Sequence, residues 1–251
     1  MSHVSRSGGL KALSGRELRR LLQAVNAPLP RAAAAMMAFT GFSHFSLNRI
    51  TFRDGLPELR IERRGGRTSL KVLRVPMVVA TPMAAWAPGS PFYRQGPFGQ
   101  GWRWSFLSKD GCNYLLAYLR TRLQAKGSNS LAPSHRLFVP SEPFFYGYFR
   151  RNVSEAAERI GLGRWSLLGC ERLLRQYFTQ GMKSVGACER CIEFMGETQG
   201  RWAYAPYAPS CNHSPEDMRQ AYSVAAIYAL PTGRKTKRKM TILKEAPITS
   251  L

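Results

Sequence analysis

The chain has few acidic residues and no long hydrophobic run. Only 15 of its 251 residues are Asp or Glu, against 37 Lys and Arg. The longest apolar run, residues 32–39, is much shorter than the roughly 18 residues that a membrane-spanning helix needs. The first residues also lack the basic, apolar and small-residue order of a secretory signal peptide. We therefore expect a cytoplasmic protein with no membrane partner.

Cysteine is scarce as well. The five cysteines are odd in number and scattered, so a disulfide framework is not expected and a reducing compartment fits better. Cys188 and Cys191 form a C-x-x-C pair, and Cys211 and His213 follow, which together offer four tetrahedral zinc ligands. The opposing interpretation makes Cys188 and Cys191 buried thiols of a helix. A zinc-stabilised nucleic-acid-binding protein therefore remains one hypothesis.

Positive charge is what the chain has in excess. Its net charge is +22 and its isoelectric point is about 10.6, while 44% hydrophobic and 11% aromatic residues indicate a globular protein. Such a charge implies a polyanionic partner, because neutralising phosphates releases counterions. No long basic helix with a clean apolar face favours a membrane surface instead. Double-stranded DNA is the expected partner, with the protein associated with the nucleoid.

Apolar periodicity predicts a mainly α fold with one small antiparallel β-sheet. Ser14 and Glu17 form a capping box that opens the first helix, and Gly41 ends a second helix over residues 31–40. Alternating residues around Gly65 and Gly66 predict a β-hairpin over 59–75. Five further helices are predicted, over residues 112–124, 144–160, 167–180, 184–195 and 214–228. We divide the chain into a basic arm (1–13), one domain (14–230) and a basic tail (231–251).

An irregular insertion interrupts the domain at residues 81–104. It is rich in proline, glycine and aromatic residues, and loops of this length are often functional. Its aromatic residues alternate with Arg94 and Arg103, an arrangement that can stack on bases. A flap packed on itself explains the same composition, and both interpretations stay open.

One set of residues predicts chemistry on DNA phosphates. His213 opens a capped helix and Tyr222 lies nine residues further on, while Arg172 and Arg175 share a face of an earlier helix. Phosphodiester transfer needs a nucleophile, cationic donors and a general acid. A tyrosine suits the first role, and arginine suits the second because its fork binds phosphate through two hydrogen bonds.

The order of these elements resembles the catalytic domain of the tyrosine recombinases, the phage-type integrases. Residues 38–47 match the first family box, the hairpin matches the second element, and Arg172-Leu-Leu-Arg175 matches H-x-L-R. Asn212-His213 matches the G-H pair, and Tyr222 stands at the family offset. The resemblance covers residues 14–229, and the family's separate DNA-clamping domain is not seen in this sequence.

The resemblance implies a site-specific recombinase or integrase of a mobile genetic element. Tyr222 would form a 3′-phosphotyrosyl link, Arg175 and Arg172 would contact the phosphate, and His213 would assist. Arg64, Arg67 and Lys71 of the hairpin would contact DNA. The chemistry requires no metal and no organic cofactor, and strand exchange implies self-association on DNA.

The chain departs from the family at its first catalytic arginine. Ser43 stands there, and Ser46 replaces the glutamate of the same box. Losing a donor of this kind costs about 10²–10³ in rate. Arg49 and Arg53 are the nearest replacements in sequence. Two hypotheses follow: an active, divergent recombinase, or a catalytically degenerate fold that acts as a DNA-binding regulator or accessory subunit.

Overall fold

The computed structural model describes residues 12–52, 55–64, 67–71, 75–80, 103–125, 135–138, 142–196 and 214–228. These residues contain eight helices and two sheets of two antiparallel strands each. The predicted class, mainly α with small antiparallel sheet, is confirmed. The tail, nearly all of the arm and residues 81–102 of the insertion lie outside the described residues. The division into arm, domain and tail therefore stays a prediction.

Along the chain the elements alternate between helical and strand regions. The helices are α1 (Gly15–Ala24), α2 (Pro28–Thr40), α3 (His44–Leu47), α4 (Lys109–Ala125), α5 (Glu142–Arg159), α6 (Leu167–Ser184), α7 (Glu189–Gly196) and α8 (Pro215–Tyr228). The strands are β1 (Arg60–Arg64), β2 (Arg67–Lys71), β3 (Met77–Ala80) and β4 (Arg103–Phe106).

The first helix begins where its capping box predicts. The Ser14 hydroxyl accepts from the Glu17 backbone N–H at 3.2 Å, and the Glu17 carboxylate accepts from the Ser14 N–H at 2.7 Å. These two bonds satisfy donors that a helix start leaves without an intrahelical partner. Leu18, Leu21 and Leu22 are buried on the inner face of α1.

Helix α2 is the centre of the core. It packs against α1, α4, α5 and α6, and every side chain from Ala32 to Thr40 is buried. It begins at Pro28 and not at the predicted residue 31, because proline is tolerated in the first helical turn. Gly41 ends it in the left-handed conformation with φ 76°, as predicted. The chain then turns directly into the short helix α3, which was not predicted.

The described residues form two sheets, whereas the sequence predicted one. Strands β1 and β2 form the predicted hairpin, with Arg60 opposite Lys71 and Arg64 opposite Arg67. A second pair, β3 with β4, joins Met77 to Phe106 across residues 81–102. All four residues of β3 are buried. The four-residue strands β3 and β4 are short, and Pro76 immediately precedes β3, so periodicity alone did not separate them from the insertion.

The break between helices α6 and α7 lies further along the chain than predicted. The helix predicted over 167–180 continues to Ser184, and α7 starts at Glu189 and not at residue 184. Gly186 lies between them with φ 75°, and its N–H bonds the Lys183 carbonyl at 3.0 Å. Within the described residues, no helix is both long and apolar enough to cross a membrane.

Candidate functional site

The predicted catalytic residues that can be placed lie on two helices. Arg172 and Arg175 are on α6, and Tyr222 is on α8. Arg172 is exposed, Arg175 is partly buried and Tyr222 is fully buried. His213 lies outside the described residues. Their catalytic roles stay predictions.

The hairpin residues predicted to contact DNA occupy the two ends of the first sheet. Arg64 and Arg67 pair with each other beside the turn, and Lys71 pairs with Arg60 at the opposite end. Their backbones are described and their side chains are not. A role of Arg64, Arg67 and Lys71 in DNA binding is therefore a prediction from sequence.

The hydroxyl of Tyr222 is enclosed by protein. It donates to the Phe39 carbonyl at 2.8 Å and accepts from the Ser108 N–H at 3.1 Å. The ring packs against Phe106 and Phe178, with centroid distances of 5.7 and 6.4 Å. The side chain has 0% of its surface exposed. In this arrangement no phosphate can approach the phenolic oxygen.

Burial also opposes ionisation of Tyr222. Loss of hydration raises the pKa of the phenol far above its usual value, and the neighbouring Cys112 raises it further. The hydrogen bond from Ser108 acts in the opposite direction but is outweighed. A tyrosine nucleophile needs a general base or a lowered pKa. The surroundings of Tyr222 provide the reverse, so the described geometry is that of a structural tyrosine.

Arg175 reaches the same end of α2 as Tyr222. Its Nε donates to the Gly41 carbonyl at 3.0 Å, and one terminal nitrogen donates to the Gly196 carbonyl of α7. Its other terminal nitrogen bonds Glu171 at 3.1 Å, one turn earlier on α6. The last carbonyls of a helix lack intrahelical partners, and cations are favourable there. Arg175 and Tyr222 therefore close the C-terminal end of α2.

Glu171 joins this end of α2 to helix α3. Its second carboxylate oxygen lies 2.5 Å from Nδ1 of His44, which is itself buried. Glu171 was not among the residues predicted from the sequence. Its spacing from Arg175 could have indicated their contact, since residues four apart are neighbours on a helix. The His44 contact joins positions 127 apart in sequence, so nothing local indicated it.

Two opposing effects act on the Glu171 carboxyl. Burial alone would raise its pKa, but the hydrogen bond and charge of His44, with the charge of Arg175, hold it below the usual value. The ionised form is therefore favoured by folding. The stability it contributes is present above the ordinary pKa of 4.5 and is lost as the pH falls through the lower folded-state pKa.

We expect a Glu171→Gln variant to be less stable than the parent at neutral pH. The difference should shrink as the pH falls below 4.5, where the parent's carboxylate becomes protonated. Urea unfolding of both proteins across this pH range measures it. Glu155→Gln, at an exposed position of α5, is the control and should follow the parent throughout. A constant gap between Glu171→Gln and the parent would contradict the assigned role.

Ser43, in the position of the missing arginine, has a local structural role. It precedes α3, and its hydroxyl accepts from the Ser46 N–H at 3.3 Å. Arg49, one candidate replacement, donates to the Ser46 hydroxyl at 2.9 Å and to the Phe45 carbonyl at 3.3 Å. The other candidate, Arg53, lies outside the described residues. Arg49 is therefore directed back onto α3 in this structure.

Arg219 holds helix α8 against the second sheet. It is 4% exposed and binds both carboxylate oxygens of Glu58, at 2.6 and 2.8 Å. It also donates to the Val75 carbonyl at 2.5 Å and lies 5.0 Å above the Phe106 ring. Arg219 is one turn before Tyr222, so this cluster fixes the turn that places the tyrosine. Its sequence position gave no signal, because Glu58 and Val75 are more than 140 residues away.

Two of the four residues named in the zinc hypothesis lie in the described part of the chain. Cys188 precedes α7 and is half-buried, Cys191 lies in its first turn and is buried, and neither is in a disulfide. Cys211 and His213 lie outside the described residues. Over the ranges that the structure describes, no group of three or more His, Cys, Asp or Glu residues could hold a metal ion.

A solved recombinase is similar in structure. It is a crystal structure of XerA recombinase, with a TM-score of 0.49 and 16% sequence identity. The match covers 85% of this chain but 64% of that chain, so this chain spans less than two thirds of its length. No family model and no curated protein matches.

This structure is of the same kind of protein, a recombinase, that the sequence resembles.

Proposed function

We propose that this protein binds double-stranded DNA through its basic surface and does not cleave it in the described conformation. The observation that carries the proposal is the enclosed Tyr222 hydroxyl, bonded on both sides to backbone, in a chain of net charge +22. The charge supports binding to a polyanion. The enclosure opposes nucleophilic attack. The protein would act as a DNA-binding regulator or accessory subunit.

Exposed arginines on α5 and α6 support the binding part of the proposal. Arg150, Arg151 and Arg159 are exposed on α5, Arg164 is exposed in the following turn, and Arg172 is exposed on α6. Exposed Glu155 and Glu158 offset part of this charge and leave it positive. Arginine forks suit phosphate oxygens because they donate two hydrogen bonds in one plane.

Two of these arginines lie near elements that neighbour α5. Arg150 lies close enough to the first turn of α6 to act on the thiol of Cys170, where its charge opposes the effect of burial. The guanidinium of Arg159 donates to the Ala24 carbonyl at 2.6 Å. Arg159 therefore anchors α5 to the end of α1, while Arg150, Arg151 and Arg172 remain exposed for phosphate.

The contacts of the predicted catalytic residues support the non-cleaving part. The guanidinium of Arg175 donates hydrogen bonds to two backbone carbonyls and to the Glu171 carboxylate. Ser43 caps α3 in place of the family arginine. Removing one transition-state donor costs about 10²–10³ in rate. Here Ser43 replaces one such donor, and the second, Arg175, is already bonded to protein groups. Each of these residues has a structural role that explains its presence.

Cleavage by Tyr222 is the second candidate function, and one observation favours it. Among the described residues, the polar contacts that hold helix α8 near Tyr222 are those around Arg219 and Glu58 and the two bonds of the tyrosine hydroxyl itself. Displacement of this helix would uncover the hydroxyl. In this alternative the described conformation is the inactive one, and DNA or a second copy would release α8.

We expect tight, salt-sensitive DNA binding and no covalent adduct. Bound sequences are first selected from a randomised duplex pool, and affinity is then measured between about 50 and 200 mM salt. The logarithm of the binding constant should fall with the logarithm of salt, with a slope of about −0.9 per phosphate contacted. A slope near zero or absence of binding would contradict the DNA-binding part.

The same selected sequence, carrying nicks that trap a covalent intermediate, tests cleavage. Parent protein and Tyr222→Phe are incubated with it and separated on a denaturing gel. We expect no shifted band from either protein. A shifted band from the parent that Tyr222→Phe abolishes would establish Tyr222 as the nucleophile and replace the regulator proposal by the recombinase one.

A further inference from the structure

Cys188 and Cys191 are placed as a reactive thiol and a resolving thiol. Cys188 immediately precedes α7, and its carbonyl accepts the helix bond from the Ile192 N–H at 3.0 Å. Cys191 lies in the first turn and is 3% exposed, while Cys188 is half-buried. Cys188 is therefore partly accessible to solvent, whereas Cys191 is enclosed.

Hydrogen bonds at the start of α7 converge on the Cys188 sulfur. It accepts from the backbone N–H groups of Cys191 and Arg190, and from the Cys191 thiol. These bonds, the first of which has the largest effect, lower the pKa of Cys188 against the smaller effect of burial. The thiolate is the nucleophilic form, and cysteines at helix starts in C-x-x-C pairs are activated this way.

The spacing of the pair permits a disulfide. Residues three apart across a helical turn have Cβ atoms about 5–6 Å apart. A disulfide brings Cβ atoms to about 3.5–4.5 Å, so closure needs a small movement. Cys188 stands just outside the helix, where its backbone is less constrained than that of Cys191.

We propose that Cys188 and Cys191 form a reversible intramolecular disulfide by exchange with a small-molecule disulfide. The Cys188 thiolate attacks one sulfur of the small molecule, whose sulfur–sulfur bond breaks and releases one thiolate. Cys191 loses its proton to solvent and attacks the Cys188 sulfur of the mixed disulfide, releasing the second thiolate. The protein loses two electrons and two protons, and the small-molecule disulfide gains the electrons.

The remaining described cysteines provide internal controls. Burial raises the pKa of both Cys112 and Cys170 to about 12. Each is buried and lacks a cysteine three residues away. We therefore expect Cys188 to react roughly 10-fold faster or more than either, since attack requires an accessible thiolate.

The test uses the full chain, reduced and then exposed to oxidised glutathione. Samples are alkylated at intervals, unfolded and digested with trypsin. Because Arg190 lies between the two cysteines, cleavage separates the peptides 184–190 and 191–201. A Cys188–Cys191 disulfide is then detected as these two peptides joined, and a reducing agent should separate them again.

Variants identify the order of the two steps. Cys191→Ser should retain glutathione on Cys188, and Cys188→Ser should leave Cys191 largely unreacted. Glutathione that stays on Cys188 of the parent, or a link from Cys188 to Cys211, would overturn the proposal. So would zinc that copurifies with the chain and blocks the reaction. The readout needs no DNA, so it is independent of the proposed function.

Discussion

Replacing Gly41 with alanine is expected to destabilise the protein by about 3 kcal/mol or more. Gly41 has φ 76°, and the left-handed conformation costs a residue with a Cβ about 1–2 kcal/mol. The added Cβ would also lie 2.5 Å from Cδ1 of Phe178 and 2.8 Å from the backbone of Gly196. Overpacking of a filled core typically costs a further 1–3 kcal/mol or so.

Gly161→Ala is the matched control. Gly161 follows α5 with φ 80°, but a Cβ there would meet no atom within 4 Å. The Gly161→Ala variant should therefore lose only the stability that the left-handed conformation costs, about 1–2 kcal/mol. Urea unfolding of both variants measures the difference, which reports how closely α6 and α7 approach the end of α2. Equal losses at the two positions would show that this contact is not as tight as described.

Local signals in the sequence predicted the helices well. The capping box at Ser14 and Glu17 uses residues three apart, so its two bonds form as soon as the helix does. Gly41 and Gly161 ended helices because only glycine takes a positive φ at little cost. The β-hairpin around residues 60–71 was also predictable from a local signal, since its two strands are joined by two residues.

The second sheet and the environment of Tyr222 depended on contacts between distant residues. Strands β3 and β4 pair across residues 81–102, and short strands separated in this way leave no periodic signal. Sequence placed Tyr222 on a helix but could not show which face is buried. Its bonds go to Phe39 and Ser108, which are 183 and 114 positions away. A motif predicts the residue type at a position, whereas burial decides whether that residue can react.

Arg219 and Glu171 were missed for a similar reason. Both are charged residues on amphipathic helices, where most charges are exposed to solvent. Each is instead bonded by a side chain from a distant segment, the carboxylate of Glu58 for Arg219 and the imidazole of His44 for Glu171. Burial of a charge is tolerated only with such a partner. The two pairs hold α8 and α3, the elements that carry Tyr222 and Ser43.

We expect Arg219→Met to destabilise the protein by about 3 kcal/mol, because removing one member of a buried ion pair leaves the other uncompensated. Methionine keeps much of the packing on Phe106 and removes the bonds to Glu58 and Val75. Adding Glu58→Gln should recover part of the loss. Lys183→Met is the control, since its bridge to Glu189 is exposed and should contribute little.

The Arg219→Met variant also distinguishes the two candidate functions. If α8 merely completes the core, loosening it lowers stability and yields no covalent adduct with the nicked DNA. If α8 conceals a competent nucleophile, the same variant should form an adduct that Tyr222→Phe in the Arg219→Met background abolishes. We expect the first outcome, since Arg175 and Ser43 keep their structural contacts when α8 moves. Unfolding and gel measurements on one preparation make the comparison direct, because the loss of stability shows whether α8 has been loosened in the same protein that is tested for the adduct.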